Sequence, residues 1–441
     1  MANVKAMDLH AALARVGVRV PDILLPRTGT DLNAWAVVAC DQFTSQPEYW
    51  QQVAEIVGDK PSTLKLIFPE VFLEQADSAT RIAAINATMR QYVADGLFQE
   101  HPATMVLVRR ETGRGVVRWG LMVALDLEQY SWESDARTLI RATEGTILDR
   151  LPPRVMVREQ AALELPHIMV LISDDAGRVI EPLAAETGRL VPLYDTALML
   201  DGGRVTGWAV DAEDDLTRVA AGLGALLDAL DPDNPLLFAM GDGNHSFATA
   251  KSIWENVKSS LSPEEFANHP ARFCLVELEN IHDAGLEFEP IHRVLFDTSR
   301  DAFERALATQ CGGFTRSASA DLNDTLARIE RQDVQSFGYV DADGFAVYTV
   351  DAPGASIAAG TLQRTIDSLL ADGLAEVDYI HGADVAEDLG RRPGNLGLLL
   401  PPVSKDAFFA SIVADGALPR KTFSLVEAED KRYYLEARRL A

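Results

Sequence analysis

Apolar residues in this chain fall either in short unbroken runs or at helical spacing, and the sharpest switch between the two lies in mid-sequence. Leu236, Leu237, Phe238, Ala239 and Met240 form a continuous run after Asp233-Asn234-Pro235, the mark of a buried strand. The run breaks at Gly241-Asp242-Gly243, and Phe247, Ala250, Trp254 and Val257 then recur at helical spacing. A helix with one packed face is therefore expected. Upstream, residues 32–40 read as a second buried strand, ending in a polar loop with Asp41, Thr44 and Ser45 before Pro47. Ile82, Ile85, Met89 and Val93 share one face of a helix over 79–98.

The texture then turns to strands. Residues 105–108 and 116–127 flank Thr112-Gly113-Arg114-Gly115, a hairpin signal. Residues 167–172 read as a strand, 198–210 as a hairpin through Asp201-Gly202-Gly203, and 214–230 as a helix with a leucine-rich stripe. Ser262-Pro263-Glu264-Glu265 is a capping box, followed by a strand over 273–278. Helices are expected at 301–309, 322–331, 360–373 and 404–414, a hairpin at 336–350 and a strand at 397–400. A closing pair of strands is expected within 421–440. Strands and helices alternate without a steady βαβ cadence, so an α+β fold with mixed sheets is expected, irregular α/β being the alternative. No repeat or low-complexity linker marks a boundary; the expected division is 1–211 and 212–441.

Composition narrows the function classes. With 66 acidic against 40 basic residues, the net charge of -26 speaks against nucleic acid or an anionic membrane as partner. An anionic substrate then needs a local basic island or a metal ion. The N-terminus lacks an apolar signal core, no run spans a bilayer, and three scattered cysteines form neither a disulfide framework nor a zinc site. A cytoplasmic protein is expected.

The candidate chemistry gathers at the central turn. A glycine-flanked turn feeding a helix N-terminus offers unpaired N–H groups and a positive dipole end, a ready anion site. Here it also carries Asp242, Asn244, His245 and Ser246; as a simple tight turn, Asp242-Gly243 would need none of the others. The span 137–158 holds five arginines, among them Arg141 and Arg150, which form either a solvated helix face or the basic island.

Taken together, six segments resemble the bacterial and archaeal family known as domain of unknown function 1015. They are residues 39–50, 141–147, Gly241-Asp242-Gly243-Asn244-His245-Ser246, Ile291-His292-Arg293-Val294, 378–382 and 418–423. Many members of that family carry Asp-Gly-His-His-Arg at the turn, a pattern similar to the phosphate-binding turn of the ParB and sulfiredoxin superfamily, which includes nucleotide-dependent free-serine kinases. The resemblance implies a partly ParB/sulfiredoxin-like fold. This chain has Asn244 for the first His and Ser246 for the Arg, so a bidentate phosphate clamp is lost. A cation from elsewhere must replace it, with Lys251, Arg293, Arg420 and Lys421 as candidates.

The implied activity is phosphoryl transfer from ATP or ADP, with Mg²⁺, to a small hydroxyl substrate such as serine. Gly241, Gly243, Asn244 and Ser246 would cradle phosphate, with His292, Arg293, Arg141, Arg150, Arg420 and Lys421 supplying charge. Asp242, His245, Glu144 and Asp41 would be catalytic, and Asp242, Asp41 and Glu144 the metal ligands. A metal-assisted hydrolase such as a phosphatase, and a non-catalytic nucleotide or metabolite sensor, stand as alternatives.

Overall fold

A computed structural model describes residues 2–73, 75–133, 135–330 and 334–440, with side chains from Leu9 onward. The chain divides into two compact units. Unit 1 comprises 1–142, 146–286 and 426–441; unit 2 comprises 143–145 and 287–425. Both are discontinuous, and neither boundary falls at 211/212. The strands on either side of that position belong to one sheet, so hydrogen bonding holds them in one unit.

In unit 1 the strands are β1 (Met105–Glu111), β2 (Val117–Asp126), β3 (Tyr130–Ser131), β4 (Ile140–Arg141), β5 (Met169–Ile172), β6 (Val191–Ala197), β7 (Arg204–Val210), β8 (Phe238–Asp242) and β9 (Phe273–Asn280). They form a mixed sheet in the order β6-β7-β1-β2-β9-β5-β8-β4-β3. Its helices include α1 (Pro47–Val57), α2 (Ser78–Ala94), α3 (Leu151–Arg158), α4 (Glu213–Asp228) and α5 (Asn244–Lys258). The period-two alternation of a strand sends neighbours to opposite faces, and here both faces are buried. Leu121, Val123 and Leu125 of β2 join Phe247 and Trp254 of α5 and Leu223 of α4 in one core. Met122, with Val106 and Val108 of β1, joins Trp50, Val53 and Met89 in the other.

The C-terminal return of unit 1 is held by buried ion pairs together with short antiparallel pairings to residues 163–164, Leu24 and Val38. Arg432 pairs with Glu277 of β9 and with Glu436, all three buried. Arg438 pairs with buried Glu164 at 2.7 Å. The expected pair of closing strands is two short pieces in different units, Phe423–Leu425 paired with residues 288–290 in unit 2 and Arg438–Arg439 paired with residues 163–164 in unit 1. Residues 32–40 also depart from expectation. Asp31 accepts the Ala34 N–H at 3.3 Å and caps a short helix over Leu32–Trp35. The buried residues after it are not a strand but run beside the C-terminal return, where Tyr434 N–H donates to Val37 O and Ala39 N–H to Arg432 O, both at 2.9 Å.

In unit 2 the strands are β10 (Phe288–Phe296), β11 (Phe314–Ser319), β12 (Ser336–Asp341), β13 (Gly344–Val350), β14 (Glu376–His381), β15 (Leu396–Leu399) and β16 (Phe423–Leu425). The sheet order is β11-β13-β12-β15-β10-β14, with β16 on the start of β10. Helices α6 (Arg300–Cys311), α7 (Leu322–Glu330), α8 (Ala358–Ala371), α9 (Ala383–Gly390) and α10 (Lys405–Asp415) accompany it. The α7 helix was expected to reach Arg331, which lies outside the described residues. Helices interspersed among mixed sheets make the fold α+β, as the sequence pattern indicates. Among the described residues no helix is long and apolar enough to cross a membrane.

Candidate functional site

The apolar run, the glycine break and the helical repeat fold as β8, a turn and α5. The register of β8 against β5 slips between Met240 and Asp242, leaving Gly241 as an inserted residue. Such a bulge re-aims the strand end, and Asp242 emerges at it. Gly243 follows with φ +80°, and a Cβ there would meet the Ile168 side chain at 2.9 Å. Glycine is thus required twice, by backbone conformation and by space. Gly243 is the N-cap of α5 and, as a glycine, makes no side-chain cap of its own.

Three further segments of unit 1 bring side chains to this turn. Asp242 Oδ1 accepts the Gly243 N–H at 2.9 Å, and its Oδ2 lies 3.1 Å from Lys431 Nζ. Ser246 Oγ lies 2.8 Å from His167 Nε2, and His167 Nδ1 lies 2.8 Å from the Tyr434 hydroxyl. Tyr434 also accepts the Cys40 N–H at 3.2 Å. Asp41 Oδ2 stands 3.9 Å from His167 Nε2. Burial works to raise the Asp41 pKa, but the charge of His167, the Gln42 amide and the charge of Lys431 outweigh it and hold the carboxyl below its ordinary value. Burial, with Asp41 and Glu70 nearby, pushes the Cys40 thiol far upward.

Behind Ser246 and His167 lies a cavity of about 130 Å³, close to the ~150 Å³ of an apolar cavity that takes benzene. Ile67, Phe68, Met89, Val157, Leu165 and Ile168 give it apolar walls, and Tyr434, Thr249 and Cys40 line its polar part. Glu70 and Arg154, which also line it, are paired at 2.5 Å. Burial raises the Glu70 carboxyl above its ordinary value despite that arginine.

The other residues singled out from the sequence take varied places. His245 Nε2 accepts the Ile147 N–H at 3.4 Å, so the imidazole against Ser246 is that of His167. Arg141 donates to Thr138 O, Asn234 Oδ1 and Pro235 O, which ties β4 to the loop before β8. Arg150 is exposed. Lys251 pairs with Glu255 at 2.7 Å and approaches Glu128, so Lys431 is the cation that faces Asp242.

In unit 2, His292 Nδ1 accepts the Leu400 N–H at 3.1 Å, and burial beside Arg293 lowers its pKa to about 4. Arg293 is fully buried, its guanidinium 5.0 Å above the Tyr379 ring. Lys421 Nζ is 5.7 Å from the same ring, and its backbone N–H donates to Glu144 Oε1 at 3.0 Å. Arg420 is exposed.

His167, Lys431 and Tyr434 were not singled out in the sequence. His167 stands alone before an apolar strand, and Lys431 and Tyr434 sit in a segment without periodicity; only the long-range return of the chain brings them to the turn.

No curated protein matches the sequence. Among solved structures, a free serine kinase variant in complex with AMP is 8% identical over 72% of this chain and 92% of its own, with TM-score 0.40. A conserved hypothetical protein from Pyrococcus furiosus is 8% identical over 69% and 90%, with TM-score 0.36. SbnI with a C-terminal truncation, from Staphylococcus aureus, is 10% identical over 69% and 82%, with TM-score 0.37. The family described as protein of unknown function (DUF1015) matches residues 24–369, and the chain belongs to that family.

Proposed function

We propose that unit 1 is an enzyme that binds a nucleotide phosphate at the β8–α5 turn and transfers a phosphoryl group to a small hydroxyl substrate. The observation that carries this reading is the meeting of a glycine-started helix N-terminus with Lys431, Asp242 and the Ser246–His167 pair. Phosphoryl transfer is mostly positioning and charge neutralisation. The α5 N-terminus supplies N–H donors and the dipole's positive end. Lys431 supplies the cation that the Ser246 position does not, and Asp242 holds Lys431 in place.

His167 is the base, taking the proton of the substrate hydroxyl onto Nε2 by way of the Ser246 hydroxyl, which accepts the substrate proton as it passes its own to the ring, with Asp41 stabilising the imidazolium. The adjoining cavity takes the body of the substrate. Asp242 and Asp41 would be the carboxylates available to a Mg²⁺ ion, which is ordinarily held by one or two carboxylates together with the nucleotide's own phosphate oxygens; Asp242 also faces the Lys431 ammonium at 3.1 Å.

The test is incubation with ATP, Mg²⁺ and a panel of small hydroxyl compounds including serine, with products read by mass spectrometry. A phosphorylated product that disappears in Lys431→Met and His167→Gln supports the reading. Phosphate release without a phosphorylated acceptor would favour the hydrolase, and binding without turnover the sensor.

A further inference from the structure

Unit 2 contains a buried cation whose partners do not account for it. Arg293 lies on β10, flanked by Tyr379 of β14 and Leu398 of β15. Its side chain is fully buried, and Nη1 donates to the Ile291 carbonyl. Nε and Nη2 are buried as well and meet no acceptor among the described residues. These two nitrogens form one edge of the guanidinium, the edge that grips two oxygens of one anion.

Buried arginines ordinarily face carboxylates. Even the partly exposed Arg300 of the same unit faces carboxylates, those of Asp341 and Asp343. The Arg293 guanidinium has instead the Tyr379 ring at 5.0 Å. A cation–π contact offsets only part of the cost of removing a guanidinium from water. Glu144 is the carboxylate whose charge acts on Arg293, but its Oε1 accepts the Lys421 N–H at 3.0 Å.

A second cation joins the arrangement. Lys421 Nζ lies 5.7 Å from the centroid of the Tyr379 ring. Lys421 is exposed and Tyr379 half-buried, so the ring leads from the buried fork towards the surface. Lys421 also holds a left-handed backbone with φ +53°, costly for a residue with a Cβ. The Glu144 hydrogen bond to its N–H holds it there.

We propose that unit 2 binds an oxyanion, a carboxylate or a phosphate, through the Nε/Nη2 edge of Arg293, with Lys421 as the second charge and Tyr379 as the wall between them. The shared chemistry is two oxygens of one anionic group presented side by side.

The test is calorimetric titration of the full chain with inorganic phosphate and, separately, with malonate, both in a Lys431→Met background. That background removes the cation proposed for the unit 1 turn, so failure of one site is distinguishable from failure of the other. Saturable binding of either probe is expected, weakened by about tenfold or more in Arg293→Lys, which keeps the charge but loses the fork. Lys421→Ala should weaken it several-fold; this residue is exposed, so the test survives if Arg293→Lys fails to fold. Preference for phosphate or for malonate identifies the group bound. Absence of binding with both probes, or affinity unchanged in Lys421→Ala and in folded Arg293→Lys, would overturn the proposal.

Discussion

His167 lies between two hydroxyls, with Ser246 Oγ 2.8 Å from Nε2 and the Tyr434 hydroxyl 2.8 Å from Nδ1. Each ring nitrogen therefore has a partner, and the direction of the Tyr434 bond selects the tautomer presented to Ser246. As the base of the proposed reaction, His167 should be indispensable to rate. His167→Gln is expected to lower turnover by ~10²–10⁴, with Tyr434→Phe shifting the pH–rate profile while leaving the enzyme active. Equal turnover in folded His167→Gln and parent would remove His167 from the chemistry.

Gly243 starts α5 in a conformation that an L-residue resists. Gly243→Ala must hold φ near +80° and accommodate a Cβ 2.9 Å from Ile168. The left-handed backbone alone costs roughly 1–2 kcal/mol, so a drop in unfolding free energy beyond that value is expected. Loss of ligand-induced stabilisation should accompany it. Denaturant titration with and without ADP measures both.

Asp242 and Lys431 form a partly buried pair at 3.1 Å. Asp242→Asn keeps an acceptor for the Gly243 N–H but removes the charge facing Lys431. The expected stability loss is about 1–2 kcal/mol. A double-mutant cycle with Lys431→Met should give a coupling energy of comparable size; additive effects would show that the pair is not energetically joined.

His292 makes the protein sensitive to mild acid. Its folded pKa is lowered from 6.5 to about 4 by burial and by Arg293. Between those values the unfolded chain binds a proton that the folded chain refuses, so stability is lost as pH falls through this window. The full contribution is roughly 3 kcal/mol, and it is absent above pH 6.5, where both states are neutral. Stability of parent and His292→Gln, compared between pH 7 and pH 4, should converge on acidification. A gap that widens would contradict this assignment.

What could be read from the sequence was local. β8, Gly243 and α5 are contiguous, and each rests on a short-range signal: an apolar run, a residue free to take positive φ, and a helical repeat. The 112–115 hairpin and the Ser262 capping box are legible for the same reason. Residues 32–40 were misread because burial was inferred correctly but the pairing was not. The Asp31 cap and the hydrogen bonds to residues 432–434 are made by side chain and return segment rather than by a sheet neighbour. Lys431 and Tyr434 carry no local signal, because ion pairs at Arg432 and Arg438 and backbone bonds to residues 37–39, not periodicity, place their segment. The units are discontinuous, and a cut at one sequence position could not separate them.

The central claim is that a phosphate group binds where the α5 N-terminus and Lys431 meet. Calorimetric titration of ADP into the parent and into Lys431→Met tests it most directly. Saturable binding is expected in the parent, with affinity weaker by about tenfold or more in Lys431→Met and both proteins folded. At ~100 times Kd the parent should also gain ~2.7 kcal/mol of stability. Equal affinity in the two proteins, or no heat in the parent at millimolar ADP, would contradict it.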